Sequence, residues 1–280
     1  MSAFAQASGD QARRVDALRV GVGVGLVMLS AAAWVLTAGR AQSMDMGSGG
    51  DLGSLSFYLG TWVVMMAAMM FPSIVPMVQG FALLDRSRHA GRGLGEPSAE
   101  IAVFVAGYLV AWSAFGLAAY AVIDLMRALD VQALAWDRGG RYLAGGAIFA
   151  AALYQFTPAK QACLRCCRGP LDFLAERWRD GVGGALHLGL AHGAWCVGCC
   201  WALMAALFAL GMMSVAWMAL IAALIAAEKL LPWRRVANRG VAVLLVVLGL
   251  SVALVPERVP GLVIPDSSGA MPGMEAMSGR

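Results

Sequence analysis

The sequence predicts an all-α protein, a polytopic bundle of about seven transmembrane helices. Of the 280 residues, 60% are hydrophobic and only 14% are charged, whereas soluble domains carry about 25% charged residues. Long uncharged runs recur along the chain, and most of them approach or exceed the ~20 residues with which a helix crosses a bilayer. The charged side chains gather between these runs. The lipid bilayer is therefore the first partner that the sequence predicts.

Uncharged runs, taken in chain order, define the predicted spans as residues 20–39, 52–84, 101–123, 142–158, two helices within 181–227, and 240–255. The run 181–227 must be divided, since one helix of that length would measure ~70 Å against a hydrocarbon core of ~30 Å. We expect its division at 211–214. The second span is expected to break at Pro72 and Pro76, because proline lacks the amide donor and kinks helices. If the marginal fourth span is re-entrant, the count falls to six.

The distribution of Lys and Arg predicts the orientation. With a cytoplasmic N-terminus, 15 of the 21 Lys and Arg residues fall on the cytoplasmic side and 6 on the other, as the positive-inside rule requires. The predicted organisation is a mobile cytoplasmic segment at 1–17, a transmembrane domain at 18–256 and a mobile Met-containing tail at 257–280. No basic patch with interleaved aromatics is found, so nucleic acid is not an expected partner.

The densest chemical motif lies inside the run 181–227. At ~100° per residue, one helix face carries an imidazole and three thiols, those of His192, Cys196, Cys199 and Cys200. Soft thiolates and an imidazole on one stripe suit Cu(I) or Zn(II). The plainer alternative is packing, because free cysteine behaves as a small buried hydrophobe. Three cysteines and a histidine within nine residues favour the metal site.

A second group of soft ligands lies in the second predicted span and consists of Met65, Met66, Met69 and Met70. Thioether sulfur is a soft ligand that selects Cu(I). The two prolines that follow strengthen the prediction, since broken helices build binding sites in transporters. Counting helix rise places these methionines and the cysteines both near mid-membrane, so the two groups could share one site. The alternative is that methionine fills irregular gaps in a core.

A further C-x-x-C-C triplet, formed by Cys163, Cys166 and Cys167, lies in the charged stretch 160–180. The predicted topology puts this stretch at the cytoplasmic face, where thiols are usually reduced. Basic neighbours are expected to favour the thiolate form. We therefore expect Cys163 and Cys166 to form a relay site for the metal. The alternative is a basic loop with incidental cysteines.

Four motifs together resemble a known family. They are Met65-Met66-Ala-Ala-Met69-Met70-Phe-Pro72, Tyr154-Gln-Phe-Thr-Pro158-Ala-Lys160…Cys163…Cys166, His192-Gly…Cys196-Val-Gly-Cys199-Cys200-Trp…Met204, and Glu228-Lys229. This set resembles the predicted metal-binding integral membrane proteins of bacteria, a family of unknown function that is sometimes labelled copper chaperone. The resemblance covers roughly residues 52–233. It implies metal binding in the bacterial inner membrane but little mechanism.

Three hypotheses of function follow. The leading one is a Cu(I)-handling chaperone or transporter rather than an enzyme, with zinc as the alternative metal and a metallochaperone or copper enzyme as its partner. A rival from the enzyme class is a membrane thiol–disulfide oxidoreductase that uses the two C-x-x-C units. The methionines discriminate between these two, because thiol exchange does not use them. The third hypothesis is an assembly factor for a membrane oxidase, with the cysteines as packing.

Overall fold

The computed structural model describes residues 2–44, 54–88, 99–129, 139–211 and 214–259. Within these ranges the chain forms nine α-helices and no strand, which confirms the predicted all-α class. The helices are α1 (Ser2–Met44), α2 (Leu55–Arg88), α3 (Ala99–Ala128), α4 (Arg141–Tyr154), α5 (Pro158–Arg168), α6 (Pro170–Arg177), α7 (Gly181–Leu210), α8 (Val215–Leu230) and α9 (Arg234–Leu254). The predicted Met-containing tail at 257–280 falls largely outside the described residues.

Five of the described helices contain a stretch that is long and apolar enough to cross a membrane, namely Val15–Ala41, Leu55–Arg88, Ala99–Met126, Gly181–Leu210 and Arg235–Leu254. The predicted division of residues 181–227 is confirmed, because α7 ends at Leu210 and α8 begins at Val215. Helices α4, with 14 residues, and α8, with 16 residues, are shorter than the ~20 that a full crossing needs. The total of about seven spans therefore stays a prediction.

The predicted break in the second span is wrong, since α2 runs without interruption through Pro72 and Pro76. Proline cannot donate to the carbonyl four residues earlier, which for Pro72 is the carbonyl of Ala68. In this structure Ser30 Oγ on α1 donates to that carbonyl at 2.7 Å. A neighbouring helix thus supplies the missing donor, which is how proline is tolerated within transmembrane helices.

Helices α2 and α7 are antiparallel. Near one end of the pair the ring of Trp62 stacks on that of Phe208, with centroids 5.7 Å apart. Near the other end the ring of Phe81 packs against Trp178, just before α7 begins, at 5.3 Å. The middle of α2, which carries the methionines, and the middle of α7, which carries the cysteines, are connected through Lys229 of α8, which contacts Ser73 and Cys196.

Helices α3 and α7 run parallel and approach each other through glycines. A Cβ on Gly189 would collide with the carbonyl oxygen of Phe104, and a Cβ on Gly193 would lie 2.6 Å from Ala111 Cβ. Small residues allow two helix backbones to come this close. The approach brings Tyr108 of α3 against the cysteine face of α7.

The two short helices end beside the middle of α7. The hydroxyl of Tyr154, the last residue of α4, donates to the carbonyl of Gly198 at 2.7 Å. Helix α8 ends at Leu230, one residue after Lys229, whose Nζ contacts Cys196. Polar groups at two helix ends therefore lie at the centre of the bundle.

Candidate metal centre

Three thiols of α7 form a compact, buried cluster. The sulfur atoms of Cys196, Cys199 and Cys200 all lie within 4.8 Å of one another and could hold a metal ion. Cys199 Sγ lies 3.2 Å from Cys200 Sγ, and it donates to the backbone carbonyl of Cys196 at 3.1 Å. All three cysteines are free and buried. The spacing of three and four residues along one helix brings them to a common face.

A fourth thiol comes from α5. Cys167 Sγ lies 3.7 Å from Cys199 Sγ. Helix α5 starts where its sequence provides a start signal, since Thr157 accepts from the amide of Lys160 and Pro158 occupies the first turn. The cluster therefore draws its sulfur atoms from two helices, which sequence alone did not indicate.

The first cysteine triplet lies on helix α5, which packs directly on α7, so the alternative of a basic loop does not hold. A Cβ on Gly198 would lie only 2.8 Å from Cys163 Sγ, so the two helices are in close contact at that position. Cys163 and Cys166 are partly exposed, unlike the buried cysteines of α7. The expected activation by basic neighbours is also absent for Cys163, whose thiol pKa is raised by burial and by the nearby Cys166.

The lysine of the α5 motif is buried instead of lying in a loop. Lys160 Nζ lies 3.0 and 2.7 Å from the two carboxylate oxygens of Glu228 on α8. The two side chains are 1% and 2% exposed. This bidentate pair connects α5 to the end of α8 and neutralises one of the basic side chains that were expected to act on the cysteines.

Lys229 and Tyr108 surround Cys196. Lys229 Nζ donates to Cys196 Sγ at 2.9 Å and to Ser73 Oγ on α2 at 3.3 Å. The Tyr108 hydroxyl lies 3.0 Å from the same sulfur atom. An ammonium group and a phenol on one sulfur favour its thiolate form, which is the form that binds metals.

His192 lies one turn before Cys196 on α7 and is also buried. Its ring packs against those of Phe104, Tyr108 and Phe173, with centroids 5.5 to 6.2 Å away. Its Nδ1 has no hydrogen-bond partner among the described residues. The histidine thus adjoins the cluster through Tyr108 and keeps a ring nitrogen available, but it is not one of the three mutually close ligand groups.

The four predicted methionines are all buried in α2. On a helical projection of 100° per residue, all four point within about 80° of Ser73, the residue that contacts Lys229. Met69 and Met70 lie about 6 and 4.5 Å from Ser73 along the helix axis, and Met65 lies about 12 Å away. Lys229 contacts both Ser73 and Cys196, so these two residues lie at a similar level. Ideal helix rise from Ser73 then leads us to expect Met69 and Met70 near the level of Cys199 and Cys200. The other two lie one turn further from the cluster.

Sequence reasoning left Cys167, Tyr108 and Lys229 out of the site. The sequence did contain a pointer to Cys167. Both triplets have the same spacing, so Cys167 was as good a candidate for a metal ligand as the third cysteine of the other triplet. Lys229 also carried a signal, since an ionisable residue at membrane depth marks a functional site by default. Nothing in the sequence distinguishes Tyr108 from other aromatic residues in an apolar helix.

Long apolar helices around a buried thiol cluster that could hold a metal ion are consistent with a multi-pass, metal-binding membrane protein. The model of a family described as copper chaperones, PpoB2, matches residues 59–252. That match covers more than half of the chain, and the protein therefore belongs to this copper-chaperone family, as the predicted resemblance implied. No curated protein and no solved structure matches the chain.

Proposed function

We propose that this protein binds Cu(I) within the membrane and passes it to another copper-handling protein. The observation that carries the proposal is the cluster of buried, free thiols on α7, which Cys167 of α5 joins at 3.7 Å. Copper is the cargo in this proposal, held by Cys196, Cys199 and Cys200. Membership of a copper-chaperone family supports copper as the metal.

The chemistry of the surrounding side chains favours Cu(I) over Zn(II). Thiolate and thioether groups are soft ligands that suit Cu(I), whereas zinc is held by thiolate, imidazole and carboxylate and seldom recruits methionine. The carboxylate nearest in sequence to the site, that of Glu228, is engaged by Lys160 through both oxygens. Met69 and Met70 lie at the level of the cluster and would complete a soft shell. Met65, Met66 and His192 would act as further ligands during transfer.

The difference in burial between the cysteines of α5 and those of α7 supports a route for transfer between the protein surface and the buried cluster. Cys163 and Cys166 are partly exposed on α5, and the cysteines of α7 are buried. A Cu(I) ion could move between them by exchanging one thiolate for the next, with Cys167 as the intermediate. The exposed thiols would meet a metallochaperone or a copper enzyme. Cys163 and Cys166 thus keep the proposed role of a relay site, and this relay site is adjacent to the cysteine cluster of α7.

The proposed location is the bacterial inner membrane, with the N-terminus in the cytoplasm and about seven crossings. Five described helices are long enough for this role, and α4 and α8 would complete the count as shorter elements that end at the cysteine cluster. Most Lys and Arg residues then fall on the cytoplasmic side. Lys160 and Lys229 are counted on that side although both are buried in the bundle.

The test is metal analysis of the purified, reduced protein after loading with Cu(I), in the wild type and in the Cys196→Ser/Cys199→Ser/Cys200→Ser variant. We expect bound copper in the wild type and none in the triple variant. The matched control is Cys163→Ser/Cys166→Ser, which should keep the bound copper and slow its transfer to a chelator. Equal copper in the wild type and the triple variant would contradict the proposal.

One observation favours thiol–disulfide exchange as a second candidate function. Cys167 Sγ and Cys199 Sγ lie 3.7 Å apart on two helices, each of which carries a C-x-x-C unit. Under this alternative a Cys163→Ser variant should trap a mixed disulfide with a partner thiol, and Met69→Leu should have no effect. Loss of copper affinity in Met69→Leu, without any trapped disulfide, favours copper handling.

A further inference from the structure

The side chain of Lys229 is aimed at sulfur rather than at a carboxylate. It is buried at the end of α8 with 7% exposure, and among the described residues its Nζ donates to Cys196 Sγ and Ser73 Oγ. The adjacent carboxylate of Glu228 is already paired with Lys160 through both oxygens. Two consecutive residues of α8 therefore make separate contacts. Glu228 pairs with Lys160, and the ammonium group of Lys229 contacts the cysteine cluster.

The buried ammonium group of Lys229 can compensate the net charge of a metal–thiolate centre. In the charge state that we assign to the centre, Cys196 and one further cysteine bind Cu(I) as thiolates and the third cysteine stays a neutral thiol. The centre then carries one net negative charge, and an isolated charge is very costly to bury in an apolar interior. One ammonium group in contact with one of the thiolates makes the assembly neutral. A divalent ion on the same two thiolates is already neutral, and the ammonium group would leave it with a net positive charge.

We propose that Lys229 is the built-in counter-ion of the copper–thiolate centre and sets its preference for monovalent over divalent soft metal ions. This inference rests on the proposed Cu(I) function and adds to it the source of the selectivity. Lys229 acts through Cys196 and is a positioning residue, not a ligand, because an ammonium nitrogen has no lone pair to offer. Ser73 Oγ gives Nζ a second partner at 3.3 Å, which holds the charge in place when the metal occupies the sulfur atom.

The surroundings of Cys196 make the arrangement specific to one cysteine. Its sulfur atom has the ammonium group at 2.9 Å and the Tyr108 hydroxyl at 3.0 Å. Cys199 and Cys200 have each other at 3.2 Å, and Cys199 has Cys167 at 3.7 Å. The charge is thus supplied at one edge of the cluster, and the remaining thiols stay available to the ion.

The test compares the affinities of two monovalent ions, Cu(I) and Ag(I), with that of Cd(II) in each variant, by competition with chromophoric chelators. In Lys229→Met and Lys229→Gln we expect the monovalent affinities to fall about 100-fold, the scale of an uncompensated buried charge, while Cd(II) affinity changes by less than about tenfold. Lys229→Arg keeps the charge and should restore much of the monovalent preference. Ser73→Ala removes the second partner of Nζ but keeps the charge of Lys229, and it should lower the monovalent preference less than the two neutral variants do.

The decisive quantity is the ratio of monovalent to divalent affinity, because the Cd(II) affinity of each variant serves as the internal reference for its Cu(I) and Ag(I) affinities. A merely structural role of Lys229 would weaken Cu(I), Ag(I) and Cd(II) together and leave the ratio unchanged, which would overturn the inference. A ratio that stays at its wild-type value in both neutral variants would also overturn it. Failure of the proposed function itself is seen separately, as absence of Cu(I) binding in the wild type.

Discussion

Replacing Lys160 by methionine should destabilise the protein strongly, because it leaves the Glu228 carboxylate buried without a counter-ion. The pair is bidentate at 2.7 and 3.0 Å, with both side chains almost fully buried. Breaking such a pair costs about 3–5 kcal/mol, whereas an exposed pair contributes about 0–1 kcal/mol. At roughly 2–4 °C per kcal/mol for a chain of about this size, the melting temperature should fall by roughly 6–20 °C.

The assay is thermal unfolding of the purified protein in detergent, followed by circular dichroism. The double variant Lys160→Met/Glu228→Met removes both charges and should recover most of the loss, since apolar replacement of a buried pair is often neutral or stabilising. Arg165→Met on the exposed face of the same helix is the matched control and should change the melting temperature little. A single variant within about 2 °C of the wild type, or a double variant as unstable as the single one, would refute the reasoning.

Three further predictions concern the site and the topology. Met69→Leu should lower Cu(I) affinity about tenfold, or ~1.4 kcal/mol, in a chelator competition, whereas Met126→Leu on the exposed part of α3 should leave it unchanged; equal affinities would remove Met69 from the site. Gly198→Leu should force α5 away from α7, because even a Cβ there lies 2.8 Å from a cysteine sulfur, and copper retention during gel filtration should fall; full retention would contradict that packing. In a cysteine-free background, Ser54→Cys should be labelled by an impermeant maleimide from outside and Ser87→Cys only from the cytoplasm, and the reverse pattern would overturn the orientation.

The division of residues 181–227 into α7 and α8 was predictable because it depends on length alone. A run too long for one crossing must turn, and Gly211, which takes a positive φ of 102°, stands at the turn. The cysteine cluster of α7 was likewise predictable, since helical spacing by itself brings Cys196, Cys199 and Cys200 to one face. Both predictions need no knowledge of a second element.

The packing of α5 was not predictable, because it depends on partners far away along the chain. A charged stretch normally lies in water, and burying Lys160 becomes favourable only with Glu228, 68 residues later. No local pattern announces that pairing. The break expected at Pro72 was wrong for a similar reason, since the compensating donor, Ser30, lies on another helix, 38 residues before the carbonyl of Ala68 that it satisfies.

The separation between Lys160 and Glu228 also governs the order in which the protein can be built. A membrane protein leaves the ribosome from its N-terminus, so α5 is synthesised before the carboxylate that allows its lysine to be buried. Until α8 has been inserted, Lys160 is better placed in water, and Cys167 on the same helix is kept away from Cys199. We therefore expect the four-thiol cluster to close late in biogenesis, so that a shorter nascent chain offers a metal ion an incomplete site.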